Sequence, residues 1–178
     1  MPPVRRFADF VTQRDHRLMR RLSCWSPPRW VRVWMMSSSR AGDGWLWASL
    51  AIPILWLGGT ARYRAMVVLA TAVVLGLMLF LILKRLIGRE RPCSINPICW
   101  ARLIPPDRFS FPSGHSNTAF AITVPLSMFY PAYMVGLLFC ALSVAMSRVV
   151  LGLHFLSDVV AGSLMGAGIG YVTYSLMV

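Results

Sequence analysis

Residues 64–83 read RAMVVLATAVVLGLMLFLIL, and between Arg64 and Lys84 there is no charged group. A helix of this length reaches across the roughly 30 Å hydrocarbon core of a bilayer. Four more apolar segments lie outward from it, at about 45–60, 116–130, 132–147 and 158–178. Hydrophobic residues make up 57% of the 178-residue chain and charged residues 13%, with a mean hydropathy of +0.61. A soluble domain carries about a quarter charged residues, so lipid is the expected solvent. The fold class expected is all-α: an integral membrane helical bundle of five transmembrane helices. The segments other than 64–83 and 158–178 are short and need their neighbours, or local thinning of the bilayer, to span. Pro53 and Pro125 predict kinks. Gly162, Gly166 and Gly170 recur every fourth residue, a stripe that lets another helix approach closely.

Residues 4–22 alternate arginines with Phe7, Val11, Leu18 and Leu22, which share one helical face. That pattern predicts an amphipathic helix in the membrane interface, ended before Pro27-Pro28. Trp25, Trp30 and Trp34, interleaved with Arg29 and Arg32, suit the headgroup level. The chain therefore divides into a basic interfacial segment, 1–44, and a transmembrane bundle, 45–178. No cleavable signal peptide is expected, because the first twenty residues contain many charges and no apolar run.

Formal net charge is +12, and the 18 basic residues are 17 arginines and Lys84. Nucleic-acid binding needs a hydrated basic surface, which the apolar segments leave little room for. The expected partners are the bilayer and an anionic lipid, with no nucleic acid and no evident obligate protein partner. Cys24, Cys93, Cys99 and Cys140 match no zinc spacing. Cys93 and Cys99 share one loop and either pair in an oxidising compartment or remain free thiols.

The chemistry-bearing residues fall in three stretches at the ends of apolar segments. Lys84 and Arg91 are seven apart, two turns of a helix that Pro92 would end, and both suit phosphate. Pro112-Ser113-Gly114-His115 precedes an apolar helix: Ser113 fits an N-cap, Gly114 permits close backbone approach, and free amides there bind anions. His115 can act as a general acid. Arg148 can neutralise phosphoryl oxygens. His154 and Asp158 are four apart; a carboxylate on one ring nitrogen leaves the other as nucleophile. Each stretch also admits a structural reading: a basic membrane flank, a satisfied cap, a buried His–Asp pair pinning two helices. Five crossings bring all three stretches to one face. His16 matches nothing and reads as solvated or interfacial.

Taken together, Lys84 to Arg91-Pro92, then Pro-Ser-Gly-His, then Ser147-Arg148 with His154 and Asp158, resemble the full signature of the type 2 phosphatidic acid phosphatase superfamily, related to the vanadium haloperoxidases. The resemblance covers about residues 84–158 and leaves 1–44 outside. It implies a helical bundle and metal-independent phosphoester hydrolysis, with no cofactor, through a phosphohistidine. His154 would be the nucleophile, Asp158 its orienting partner and His115 the leaving-group acid. Lys84, Arg91, Ser113, Gly114 and Arg148 would form the phosphate pocket. Many membrane members have six spans, where five are read here. The implied substrate is a lipid phosphate such as phosphatidylglycerophosphate, phosphatidic acid or a polyprenyl (pyro)phosphate. A lipid phosphotransferase and a non-catalytic anionic-lipid binder are the alternatives. A multi-pass protein of a bacterial inner membrane is expected. Nine arginines in 1–44 lie on the site's face, against Arg62 and Arg64 on the other, so the positive-inside rule turns the site to the cytoplasm.

Overall fold

Wherever the sequence is apolar and free of punctuation the chain is helical, and glycine or proline marks nearly every break. The computed structural model describes residues 3–95 and 107–178, and the side chains of 10–94 and 107–178. Its helices are α1 (Pro3–Ser23), α2 (Arg29–Ala41), α3 (Trp45–Ser49), α4 (Ala51–Leu57), α5 (Arg62–Ile87), α6 (Pro92–Ile95), α7 (Gly114–Phe129), α8 (Met134–Val150) and α9 (Leu156–Met177). Among the described residues the only extended pairing is one antiparallel bridge between Glu90 and Phe109.

All five apolar segments are helical. Three are long and apolar enough to cross a membrane: Gly59–Ile87, Pro131–Val150 and Leu156–Met177. Their outward faces present large apolar groups, among them Val74 and Met78 of α5, Phe139 of α8 and Leu164 of α9. Proline has two different effects. Pro53 cannot donate to the Ser49 carbonyl, and the first segment is interrupted at Leu50, between α3 and α4. Pro125 stays inside α7 and leaves the Ala121 carbonyl without its helical donor.

The glycine stripe of α9 fits against α7. A Cβ on Gly162 would collide with the Ser113 carbonyl oxygen, and one on Gly166 would collide with that of Asn117. At Gly170 it would meet Pro125 Cδ at 2.8 Å and the Ala121 oxygen at 2.9 Å. The backbones therefore touch along three turns, as small residues allow in lipid. The seam ends at the site: Ser113 N–H donates to the Asp158 carbonyl at 3.0 Å.

The basic N-terminal segment is two helices separated at Pro27-Pro28. Leu18, Met19 and Leu22 of α1 pack on Ala145, Val149, Phe155 and Val159, so part of the predicted interfacial face lies on the bundle itself. Phe7 is outside the described side chains. α2 packs on α8, with Met35 and Ser39 buried. Cys93 is a free thiol, but Cys99 lies outside the described residues, and so does the pairing considered for it.

One sequence expectation changes. Lys84 and Arg91 do not lie two turns apart on one helix. α5 ends at Ile87, where Gly88 takes φ +59°, a left-handed conformation that glycine adopts without steric cost. Pro92 opens the short α6 instead of closing a helix, at the position where its missing N–H matters least.

Candidate active site

The C-terminal ends of α5 and α8 and the N-terminal ends of α7 and α9 meet at one end of the bundle. Lys84, Arg91, Gly114, His115, Arg148 and His154 line a single cavity there of about 340 Å³. Asp43 and Asp107 line it as well. Ser113 and Asp158 are fully buried behind it. Ser113 is the N-cap of α7: its Oγ accepts from Ser116 N at 3.4 Å and from Ser116 Oγ at 2.9 Å. Its hydroxyl thus shapes the turn that presents Gly114 and His115.

His154 sits one residue before the cap of α9 and is 2% exposed. Its Nδ1 lies 2.6 Å from the Ser110 carbonyl oxygen, an acceptor only, so Nδ1 bears the proton and Nε2 the lone pair. Nε2 faces Arg91 Nη1 at 3.0 Å. Burial first, then the charges of Arg91 and Arg148, hold the imidazole pKa well below its ordinary value, which keeps the ring neutral.

The expected hydrogen bond between His154 and Asp158 is replaced by a longer approach. Asp158 Oδ2 is 3.9 Å from Nδ1, beyond hydrogen-bond range. That oxygen accepts from Phe155 N at 2.8 Å, and Oδ1 accepts from Arg89 at 2.7 Å. The carboxylate accepts from the N-cap amide at the start of α9, and the backbone carbonyl of Ser110 orients the ring.

His115 is held differently. Its Nε2 is 2.7 Å from Asp43 Oδ1, in the Gly42-Asp43-Gly44 turn between α2 and α3. The side chains of His115 and Asp43 are 22% and 56% exposed, so this pair opens to the cavity mouth. Gly42 is required here, since a Cβ would meet Val144 at 2.7 Å and the His115 ring at 3.1 Å.

The cations divide into two kinds. Lys84 and Arg91 both pair with Asp107; Arg91 Nη2 to Oδ1 is 2.9 Å, and its Nε donates to the Asp107 carbonyl at 2.9 Å. Burial would raise the Asp107 pKa, but the hydrogen bonds and charges of Lys84 and Arg91 outweigh it and leave it below the usual value. Arg148, 3% exposed, donates from Nη1 to Ser39 Oγ at 2.6 Å. Its Nε has no partner, and no carboxylate lies within ion-pair distance of it among the described residues. A buried donor left unpaired costs about 1–3 kcal/mol, more when charged, so this guanidinium favours an anionic acceptor. Among the described residues no three of His, Cys, Asp and Glu are grouped as metal ligands.

The sequence reading missed Asp43, Asp107, Ser39 and the Ser110 carbonyl. None has a spacing signal, because each reaches its partner across the fold.

Residues 65–178 match the PAP2 superfamily. The chain belongs to that family. It is 34% identical over 127 residues to a lipid A 1-phosphatase of Rhizobium etli, a match covering 69% of this chain and 51% of the relative. It thus spans about half the length of the lipid A 1-phosphatases it matches. A decaprenylphosphoryl-5-phosphoribose phosphatase of Mycobacterium tuberculosis is 31% identical over 138 residues, covering 75% of this chain and 71% of the relative. The crystal structure of Aquifex aeolicus LpxE superposes with a TM-score of 0.74 at 25% identity, over 89% of this chain and 93% of that one. The PAP2-type phosphatidylglycerolphosphate phosphatase of Bacillus subtilis shares the fold, with a TM-score of 0.71 at 24% identity over 93% and 85% of the two chains. A PAP2 chain with several lipid-facing apolar helices is an integral membrane protein.

Proposed function

We propose that the protein is a membrane lipid phosphatase that hydrolyses a lipid phosphomonoester or pyrophosphate through a phosphohistidine on His154. The observation that carries this reading is the cavity itself: a neutral histidine whose Nε2 faces Arg91, beside buried Arg148, which has no carboxylate within ion-pair distance among the described residues. The names of its relatives support a lipid phosphate as substrate.

The substrate phosphate enters against Arg148, Lys84, Arg91 and the free amides at the start of α7. His154 Nε2 attacks phosphorus; the N–P bond forms as the bond to the lipid oxygen breaks. His115 gives its proton to the departing alkoxide. Water then attacks the phosphohistidine, His115 takes the water's proton, and inorganic phosphate leaves. Asp107 pairs with Lys84 and Arg91 and holds them in the cavity, and Lys84, Arg91 and Arg148 balance the equatorial oxygens at the transition state. The carboxylate of Asp158 lies close enough to favour the charge that develops on the ring.

Five helical segments, α3–α4, α5, α7, α8 and α9, are inferred to cross the bilayer, with α1 and α2 at the interface. The arginine balance supports a site on the cytoplasmic face of a bacterial inner membrane. Cys24, exposed on that side, would then resist an impermeant thiol reagent in intact cells; its labelling would reverse the orientation.

Phosphate release from purified protein over a panel of lipid A, phosphatidylglycerophosphate, phosphatidic acid and polyprenyl phosphates tests the reading. One class should be turned over, and His154→Ala should lose that activity. Transfer of phosphate to a second lipid without free phosphate would make the protein a phosphotransferase. Unchanged release by His154→Ala would sink the catalytic assignment.

A further inference from the structure

Asp15 belongs to an arginine-rich helix, yet it is 4% exposed. On α1 it follows Val11 by four residues and precedes Leu18 by three, the centre of the apolar face. A carboxylate there needs partners, because an unpaired buried charge is strongly unfavourable. It finds them at the start of α9. Asp15 Oδ1 accepts from Ser157 N at 3.2 Å, an amide in the first turn that has no partner within its own helix. Ser157 Oγ donates to Oδ2, which also pairs with Arg89 Nη2 at 2.9 Å.

Arg89 is shared between two carboxylates. Its Nη1 donates to Asp158 Oδ1 and to Ser157 Oγ, both at 2.7 Å. Its guanidinium lies 4.1 Å from the centroid of the Phe155 ring, and His16 of α1 meets the same ring edge-on at 5.1 Å. Phe155 directly follows His154. The residues fixing the nucleophile's backbone are therefore gripped from outside by α1.

We propose that Asp15 and Arg89 are positioning residues for the nucleophile: Asp15 caps α9 from a different helix and, through Arg89, fixes Asp158 and the His154–Phe155 backbone. This rests on the phosphohistidine reading. Neither side chain touches the cavity, so their effect passes through the geometry of attack. A misplacement of about 1 Å at a reacting group can cost about 100-fold in rate.

The test is steady-state kinetics on the full-length protein with its best lipid phosphate, beside thermal unfolding in the same detergent. Asp15→Ala and Arg89→Ala should each lower kcat, Asp15→Ala by about 100-fold, with KM unchanged. The double variant should be no slower than the slower single, because both changes break one relay. Asp15→Asn, which keeps an acceptor for Ser157 but no charge for Arg89, should fall between. Full kcat in Asp15→Ala, losses that multiply in the double variant, or a loss confined to KM or to the melting temperature would each overturn the proposal. Where the alanine variants do not fold, Asp15→Asn and Ser157→Ala decide, with lowered kcat expected and wild-type kcat contradicting. A failed phosphohistidine reading shows separately, as activity surviving in His154→Ala.

Discussion

The two histidines of the cavity are held in opposite ways. His154 is sealed in: a carbonyl fixes one nitrogen, two arginines surround it, and its charge is suppressed. His115 stands at the mouth, half-open, against the carboxylate of Asp43. A neutral ring with its Nε2 lone pair facing the cavity arginine suits a nucleophile. A ring at the open mouth, hydrogen-bonded to a carboxylate, suits proton transfer to a leaving group. The difference teaches that one residue type is set in two environments by its second partner, a carbonyl in one case and a carboxylate in the other, and the two proposed roles follow from it.

The contrast is broken most severely at His154. His154→Ala should abolish lipid-phosphate hydrolysis with the bundle intact, measured as phosphate release and thermal unfolding in detergent; activity near wild type would assign the nucleophile elsewhere. His115→Ala should lower kcat by about 10²- to 10⁴-fold, the usual range for a lost general acid. The loss should shrink for an aryl phosphate, whose leaving group needs no proton. An equal loss on lipid and aryl substrates would remove the acid role from His115. Asp43→Asn should cost less, about tenfold, a fraction of the full acid contribution. It should also pull the alkaline limb of kcat to lower pH, since the ring loses the carboxylate that favours its proton. An unmoved limb would mean that Asp43 only fills space.

The smallest effect is the pH response of His154. Its folded pKa lies below the ordinary value of about 6.5. As pH falls through that value the unfolded chain takes up a proton that the folded site refuses. Stability therefore falls with pH from there down to the lowered folded pKa. His154→Gln should flatten this slope in thermal unfolding measured from neutral to mildly acid pH; an unchanged slope would place the titration elsewhere.

The motif residues were legible because a helix carries its ends to fixed places. Apolar segments of spanning length, joined alternately, bring the end of α5, the start of α7 and the turn before α9 to one face without knowledge of packing. The glycine stripe was legible for the same reason, since period four on a helix makes a flat seam. What escaped lay in residues whose partners come from another element. Asp43 reaches the cavity and Ser39 reaches Arg148 because α2 packs on α8, and Asp107 enters through its pairs with Lys84 and Arg91. The reading of Lys84 and Arg91 as helical neighbours failed at Gly88, where the left-handed turn ends α5. Asp15 did leave a trace: a carboxylate on the apolar face of α1 breaks the amphipathic pattern, and a break of that kind marks a buried partner.

The most direct measurement is to quench the protein during turnover of a labelled lipid phosphate, under conditions that preserve phosphoramidate bonds, and to map the label. A phosphohistidine mechanism predicts acid-labile label on the peptide containing His154, absent from His154→Ala. Label on another residue, or turnover by direct water attack with no covalent phosphate, would contradict it.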